Sequence, residues 1–176
     1  GTAGLLILFF AYRRWITNLA PKEIGPVEGM AGVIVLLSTL NPRAFGTAEQ
    51  RQQRKELVKK AVERIGEATA VDAVPPEFYE ALFGTNLEPA LEALQFHYRK
   101  GTLRDCWPIG TEDESMNGKV ITPGSTYLAK VLQYWFTYLH PEHHVDFHEV
   151  APVPARDYIR LHAAVDDVYR KSPFRE

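Results

Sequence analysis

Cysteine is nearly absent from this 176-residue sequence, in which Cys106 is the single example. One thiol cannot form an internal disulfide, and no Cys-x-x-Cys or Cys/His zinc spacing exists. The sequence therefore fits a reducing compartment. Because no histidine adjoins Cys106, we expect this side chain to be packed in the interior and not to act as a nucleophile.

The glycine-rich fingerprints of the common nucleotide-binding folds are absent as well. The sequence contains neither GxGxxG nor GxxxxGK followed by Ser or Thr, and it lacks the GxSxG turn of α/β hydrolases. The sequence therefore contains no motif that would indicate an NAD-dependent enzyme or a P-loop NTPase. A nucleotide ligand would have to be held in another way.

An excess of one charge is also missing, since 20 Lys and Arg stand against 22 Asp and Glu, for a net charge of −2. A protein that binds long nucleic acid needs a basic face, so this class is disfavoured. The charge is unevenly distributed, however. Residues 1–60 contain nine Lys and Arg against four Glu, and the other 116 residues carry a net charge of −7.

The first residues form a short uncharged run, 1–12, that precedes Arg13, Arg14 and Trp15. A bilayer-spanning helix takes about 20 residues, so this run is too short by itself. A dibasic pair with Trp is typical of the cytoplasmic end of a membrane helix, and the sequence begins without Met. We therefore predict that residues 1–16 are the end of a transmembrane helix. The alternative is a buried strand or helix of a soluble domain; a secretory signal peptide fits less well because the charges follow the apolar part.

Residues 17–30 are predicted to be a linker, because they contain two prolines and two glycines that break helices. The folded domain then covers residues 31–176. Its first element is a continuous apolar run, 32–37, which is typical of a central strand in a parallel sheet. Thr47 and Gln50 follow as a capping box that opens a helix.

The rest of the domain alternates between strand and helix patterns. Strands are predicted at 71–74, 105–111 and 145–150, a loop at 112–119, and helices with apolar stripes over 91–98, 128–139 and 158–168. Pro108 removes one backbone donor, which favours an edge strand or a bulge. The alternation predicts an α/β fold, a Rossmann-like three-layer sandwich with a mainly parallel central sheet.

In such sheets ligands bind at the carboxyl ends of the strands, near helix N-termini whose free N–H groups favour anions. Three segments have suitable positions: after the first strand, at the end of the 105–111 strand, and before the 128–139 helix. Hydroxyl groups can donate to phosphate or ribose oxygens, and glycine lets the backbone approach a ligand. The candidate binding residues are Ser38, Thr39, Leu40, Asn41, Arg43, Gly110, Thr111, Glu112, Gly124, Ser125 and Thr126.

Simpler roles for these residues stay open. Ser125 would cap its helix, and Asn41 with Pro42 would form a turn. Four histidines lie between 140 and 148, but Pro141 and a change from helix to strand separate them, so we expect a solvated loop and no metal site.

Three motifs stand at the candidate positions: LLSTLNP at 36–42, IGTE at 109–112 and GST at 124–126, the last opening a long amphipathic helix. Together they resemble the CARF domain, the CRISPR-associated Rossmann fold, over residues 31–169. With an apolar N-terminal segment and no room for a nuclease domain, the chain is similar to the short membrane-anchored CARF effectors of type III CRISPR systems.

The resemblance implies a homodimer that binds cyclic oligoadenylate, most often cyclic tetra-adenylate, in a cleft on its two-fold axis, with the loops 38–43 and 124–126. It implies no catalytic residue, no metal and no cofactor. The expected location is the inner membrane of a prokaryote, with the globular domain in the cytoplasm. Ligand binding would open a pore or change membrane permeability in antiviral defence, with a higher oligomer in the membrane as a further option.

Three other functions stay open. A soluble Rossmann-like nucleotide-processing enzyme would use Asp105, Glu112 or the histidines as acid and base. A ring nuclease would cleave cyclic oligoadenylate in the same cleft. A structural adaptor would bind no nucleotide and would pack its apolar N-terminus on another protein.

Overall fold

A computed structural model describes residues 31–43 and 46–172 of the chain. The predicted membrane segment at 1–16 and the predicted linker at 17–30 lie outside the described residues. No helix within the described ranges has the length and apolar character that a bilayer crossing requires. The elements follow in the order β1 (Ala31–Leu36), α1 (Ala48–Glu67), α2 (Pro76–Glu80), α3 (Glu88–Arg99), β2 (Leu103–Ile109), β3 (Glu114–Met116), β4 (Lys119–Thr122), α4 (Leu128–Leu139), β5 (Asp146–Phe147) and α5 (Tyr158–Lys171).

β1, β2 and β5 form a parallel sheet with β2 in its centre. β1 pairs with β2 along its length, with Gly32 opposite Asp105 and Leu36 opposite Ile109. The short strand β5 pairs with the first half of β2. The fold is therefore α/β with a parallel sheet, as the alternating pattern predicts. Among the described strands, however, β1 lies at the side of the sheet, and the prediction of a central position is wrong.

Helices cover both faces of this sheet. On one face, Val35, Leu37 and Cys106 belong to the larger core together with buried side chains of α1, α2, α3 and α4. On the other face, Trp107 packs in a smaller core with Val168 of α5. Val33, Val35 and Leu37 pack in the larger core and Ile34 packs against the smaller one, whereas Leu36 is 57% exposed. The continuous apolar run of β1 therefore reflects packing on both faces of the strand and not a neighbouring strand on each side.

Pro108 lies in the central strand β2, where the sequence predicts an edge strand or a bulge. The Ile109 carbonyl accepts from the Leu37 N–H on the β1 side, whereas the Cys106 carbonyl accepts from the His148 N–H on the β5 side. Because backbone groups alternate sides along a strand, the nitrogen of Pro108 faces the β5 side. After the bond from the His148 N–H to the Cys106 carbonyl, the next bond of a parallel ladder would need an N–H at residue 108. The pairing of β2 with β5 therefore stops at the proline, and the pairing with β1 continues on the other side.

The two helices with the clearest sequence signals form as predicted. α1 begins at the capping box, in which Thr47 Oγ1 accepts from the Gln50 N–H and Gln50 Oε1 accepts from the Thr47 N–H. α4 buries its apolar stripe, including Trp135, and ends shortly before Pro141. Both predictions are confirmed.

The strand predicted at 71–74 is wrong, because Val71–Ala73 is a single turn of 3₁₀ helix. The Val71 carbonyl accepts a hydrogen bond from the Tyr79 hydroxyl at 2.9 Å. Tyr79 is completely buried and stacks on Tyr138. A run of four apolar residues is compatible with a strand and with a buried turn. Here the hydrogen bond from Tyr79 of α2 favours the turn.

A β-hairpin replaces most of the loop predicted at 112–119. β3 and β4 pair antiparallel through a two-residue turn at Asn117 and Gly118, whose φ angles are 52° and 75°. Two positive φ angles are typical of a type I′ turn, and Asn-Gly is its preferred sequence. The strands are short, and Ser115, Met116, Lys119 and Val120 are exposed, so no hydrophobic alternation reveals them. The Asn-Gly pair is a signal that could have done so.

Candidate functional site

The carboxyl ends of β1 and β2 meet the start of α4 at Ser125, whose side chain is completely buried. Its hydroxyl donates to the Leu37 carbonyl, which follows β1, at 2.8 Å. Its Oγ accepts from the Thr111 N–H, which follows β2, at 2.9 Å. The Ser125 N–H donates to the Thr111 carbonyl at 3.0 Å. One side chain therefore joins the ends of two strands to the start of a helix.

Two glycines permit this close contact. A Cβ at Gly110 would lie 2.5 Å from the Cα of Thr126, and a Cβ at Gly124 would lie 2.2 Å from the Thr111 carbonyl oxygen. The Gly124 N–H also donates to Asp113 Oδ1 at 2.6 Å. The structure thus brings the predicted segments 110–112 and 124–126 into backbone contact, and a side chain at either glycine would separate them.

The hydroxyl groups of this contact bind protein atoms. Ser125 donates its one hydroxyl proton to Leu37, so Thr111 Oγ1 is the donor across its 3.1 Å contact with Ser125 Oγ. Thr126 Oγ1 donates to the Thr111 carbonyl at 3.0 Å. Ser125 does not cap α4 with its side chain. These three side chains therefore shape the strand ends, whereas the sequence predicts them as donors to a ligand.

Backbone donors remain open at the same place. Within the described ranges, the N–H groups of Thr126 and Tyr127, just before α4, have no hydrogen-bond acceptor. Such unpaired N–H groups at the start of a helix carry partial positive charge and favour an anion.

The loop after β1 is held by Asn86, for which the sequence predicts only a place at the start of a helix. Its amide donates to Ser38 Oγ at 3.0 Å and to the Thr39 carbonyl at 2.9 Å. Asn86 Oδ1 accepts from the Asn41 N–H at 2.7 Å. Ser38, Thr39 and Asn41 are exposed. Because Ser38 Oγ is the acceptor from Asn86, its own proton is available to an external acceptor.

The two charged residues among the candidates, Arg43 and Glu112, are exposed. The Arg43 guanidinium lies 3.8 Å from the carboxylate of Glu88. The Glu112 N–H donates to the Val153 carbonyl at 2.9 Å, which ties the end of β2 to the chain before α5.

Leu40 lines a groove of about 640 Å³ that runs between α1 and the β1–α1 loop. The groove is bordered by Val58 and Val62 of α1 and, at the start of α4, by Tyr127. A second concavity of about 400 Å³ adjoins it and shares Lys55. The groove therefore lies beside the predicted segments and extends the site along α1.

Four cations line these two concavities, and among them the sequence motifs predict only Arg43 as a binding residue. The other three are Arg51, Lys55 and Lys59 of α1. They follow one another at four-residue intervals and thus share one face of the helix. This spacing, in the basic part of the sequence, is the signal that could have identified them.

The histidines between 140 and 148 do not converge on one point. His143 Nε2 lies 2.8 Å from Thr137 Oγ1, His148 Nε2 lies 2.6 Å from Asp105 Oδ1, and His140 contacts a glutamine of α3. Burial lowers the pKa of His140 and of His143, so both rings are neutral at pH 7. Residues 31–43 and 46–172 contain no group of three or more side chains that could hold a metal ion.

Asp105 and His148 lie apart from the three predicted segments. Asp105 is in register with Gly32, near the start of β1. The His148 ring stacks on the Trp107 ring with centroids 4.8 Å apart, and Trp107 belongs to the core under α5. The pair therefore ties the chain after β5 to the centre of the sheet, at a distance from the strand ends where Glu112 lies.

Cys106 is completely buried in the larger core, as predicted, and burial raises the pKa of its thiol to about 12. Only the thiolate is nucleophilic, and with this pKa about one thiol in ten thousand is ionised at pH 8. We therefore expect the folded protein not to react with iodoacetamide at pH 8, and to be labelled completely in concentrated urea, as measured by mass spectrometry. Rapid labelling of the folded chain would contradict this interior position.

Comparison of the chain with protein-family models, with curated proteins and with solved structures found no match in any of the three. What the site binds must therefore be inferred from its geometry and its chemistry.

Proposed function

We propose that this chain is the sensor domain of a membrane-anchored type III CRISPR effector that binds cyclic oligoadenylate, with cyclic tetra-adenylate as the preferred ring. The observation that carries the proposal is a convergence: parallel β1 and β2 end where α4 begins, around the contacts of Ser125 with Leu37 and Thr111. Ligands of parallel α/β sheets bind at this edge. In this proposal the domain is a Rossmann-like sandwich.

The edge offers the donors that a polyanion requires. The N–H groups of Thr126 and Tyr127 are open, Ser38 retains a hydroxyl proton, and Arg43 is exposed on the same loop. A ring of four phosphates carries four negative charges, and a protein with a net charge of −2 can hold it only through such local donors. Two copies related by a two-fold axis would present every donor twice, which suits a ring with rotational symmetry.

The proposed output is a change at the inner membrane of a prokaryote, with this domain in the cytoplasm. Ligand would favour one arrangement of the homodimer, and residues 17–30 would transmit that arrangement to the membrane segment at 1–16 and to a pore. A ligand shifts such an equilibrium only by its difference in affinity for the two arrangements. The sensor function therefore requires a dimer with two arrangements.

Calorimetric titration with cyclic tri-, tetra- and hexa-adenylate tests the proposal, with linear tetra-adenylate as a control of the same composition. We expect one cyclic tetra-adenylate per two chains and intact ring in the recovered ligand, as measured by chromatography. Recovery of linear products would make the domain a ring nuclease. Absence of binding to all three rings would exclude the sensor function.

A further inference from the structure

We propose that the groove between α1 and the β1–α1 loop, together with the concavity that adjoins it at Lys55, is a subsite for one nucleotide unit of the ligand, in which Arg51 and Lys55 bind a phosphate and Tyr127 contacts the base. This inference rests on the proposed function. It extends the binding site to one face of α1, whose residues belong to none of the three sequence motifs. The groove begins at Leu40, in the loop after β1, so it is continuous with the strand ends.

The size and the lining of the groove suit a nucleotide. Its volume of about 640 Å³ lies within the roughly 300–1,000 Å³ of small-molecule sites. Val58 is buried, and Leu40 and Val62 are half-buried against the larger core, so this wall is apolar and packed from behind. Tyr127 is 44% exposed at the start of α4. Aliphatic and aromatic surfaces of this kind accept the flat face of a base.

Two cations of the groove and its neighbouring concavity carry uncompensated charge. Lys59 Nζ lies 3.9 Å from the carboxylate of Glu63, but the side chains of Arg51 and Lys55 have no hydrogen-bond or ion-pair partner in the part of the chain that the structure describes. Both are exposed, and they are four residues apart on one face of α1. Free ammonium and guanidinium groups form strong, charge-assisted hydrogen bonds with phosphate oxygens.

The opposite end of the groove is acidic, because Glu63 and Glu67 line it. Along the axis of α1, Lys55 and Glu63 are about 12 Å apart, at 1.5 Å per residue. Carboxylates accept hydrogen bonds from ribose hydroxyls and from the exocyclic amine of adenine. Along α1 the groove therefore has the unpaired cation of Lys55 at one end and the carboxylates of Glu63 and Glu67 at the other. Val58 and Val62 form the apolar wall between these ends.

This order of charges selects the occupant. A nucleotide carries an anion at one end, a flat apolar face next to it, and N–H and O–H donors beyond. An acidic peptide would meet repulsion from Glu63 and Glu67, and a fatty acyl chain offers no hydrogen-bond donor to the exposed carboxylate of Glu67. Charge complementarity along the whole groove is thus satisfied by one nucleotide unit.

The test compares two charge reversals on the same helix, in the full 176-residue chain titrated with cyclic tetra-adenylate at several salt concentrations. Lys55→Glu is expected to weaken binding by at least about tenfold and to reduce the slope of log Kd against log salt by about 0.7, the contribution of one phosphate contact. Lys60→Glu makes the same charge change at an exposed position outside the groove. Lys60→Glu is expected to change Kd by less than about twofold, because salt screens the interaction of the ligand with exposed charges that do not contact it.

Tyr127→Phe removes only the hydroxyl group, whereas Tyr127→Ala removes the aromatic ring as well, so the two variants distinguish the contribution of the ring from that of the hydroxyl. We expect Phe to retain affinity and Ala to lose it. Thermal melting checks that each variant folds, and Lys55→Gln replaces Lys55→Glu if the latter does not.

The outcomes distinguish this inference from the proposed function. If the wild-type chain binds the ring and Lys55→Glu and Lys60→Glu have equal affinities, the groove is not a subsite, although the sensor function stands. If the wild-type chain binds no ring, both proposals are wrong.

Discussion

Gly110→Ala is expected to lower the free energy of unfolding by about 3 kcal/mol, at the upper end of what overpacking costs. A Cβ at this position would lie 2.5 Å from the Cα of Thr126 and 2.6 Å from its backbone nitrogen. Neither atom is the end of a flexible side chain, so the end of β2 and the start of α4 must separate. Gly110 lacks a positive φ, so the expected loss comes from this contact and not from backbone strain.

Gly66→Ala is the matched control. Gly66 lies in α1, and a Cβ there would meet nothing within 4 Å. Alanine is the better helix former, so we expect this variant to be more stable than the wild type by about 0.5–1 kcal/mol. Urea unfolding followed by far-UV circular dichroism measures both variants. Equal unfolding midpoints for Gly110→Ala and the wild type would show that the two segments are not in backbone contact.

The same substitution bears on the proposed function. Separation of β2 from α4 would displace the open N–H groups of Thr126 and Tyr127 relative to Ser38. Gly110→Ala should therefore also weaken the binding of cyclic tetra-adenylate under conditions in which the variant is folded, whereas Gly66→Ala is measured for stability alone.

Sequence patterns predict those elements of the fold whose interactions are local. The capping box of Thr47 and Gln50 joins residues three apart, and the apolar stripe of α4 repeats with the helical period until Pro141. The segment 71–74 has no such local signal, since its conformation depends on the hydroxyl of Tyr79. The side position of β1 likewise depends on which strands pair, and composition does not report pairing.

The sequence predicts which segments form the candidate site, but it does not predict the hydrogen bonds between them. The rule that ligands bind at the carboxyl ends of parallel strands locates the three segments. Ser125 and its acceptor Leu37, however, are 88 residues apart, and Ser38 and its donor Asn86 are 48 residues apart. Such pairs form only when the whole chain folds. For this reason no local pattern indicates that the hydroxyls of Ser125 and Thr126 are already bound within the protein.

Ser125→Ala is expected to lower the free energy of unfolding by about 3 kcal/mol, whereas Thr126→Ala should change it by less than about 1 kcal/mol. Removal of the buried Ser125 hydroxyl leaves the Leu37 carbonyl and the Thr111 N–H without their partner, and each buried unpaired group costs about 1–3 kcal/mol. The Thr126 hydroxyl shares its acceptor: the Thr111 carbonyl also accepts from the Ser125 N–H, so it stays paired in Thr126→Ala.

The contrast between these neighbouring hydroxyls separates a positioning role from direct binding of ligand. Urea unfolding gives the stability of each variant, and titration with cyclic tetra-adenylate below the unfolding transition gives its affinity. If Ser125→Ala and Thr126→Ala are equally stable and both bind the ring more weakly, the two hydroxyls contact the ligand. That result would contradict a structural role for the hydrogen bonds of Ser125. A large loss of stability in Ser125→Ala alone would mean that this hydroxyl holds β1, β2 and α4 together. Because the open N–H groups of Thr126 and Tyr127 then depend on Ser125 for their position, affinity for the ring would fall in the less stable variant through geometry rather than through a lost contact.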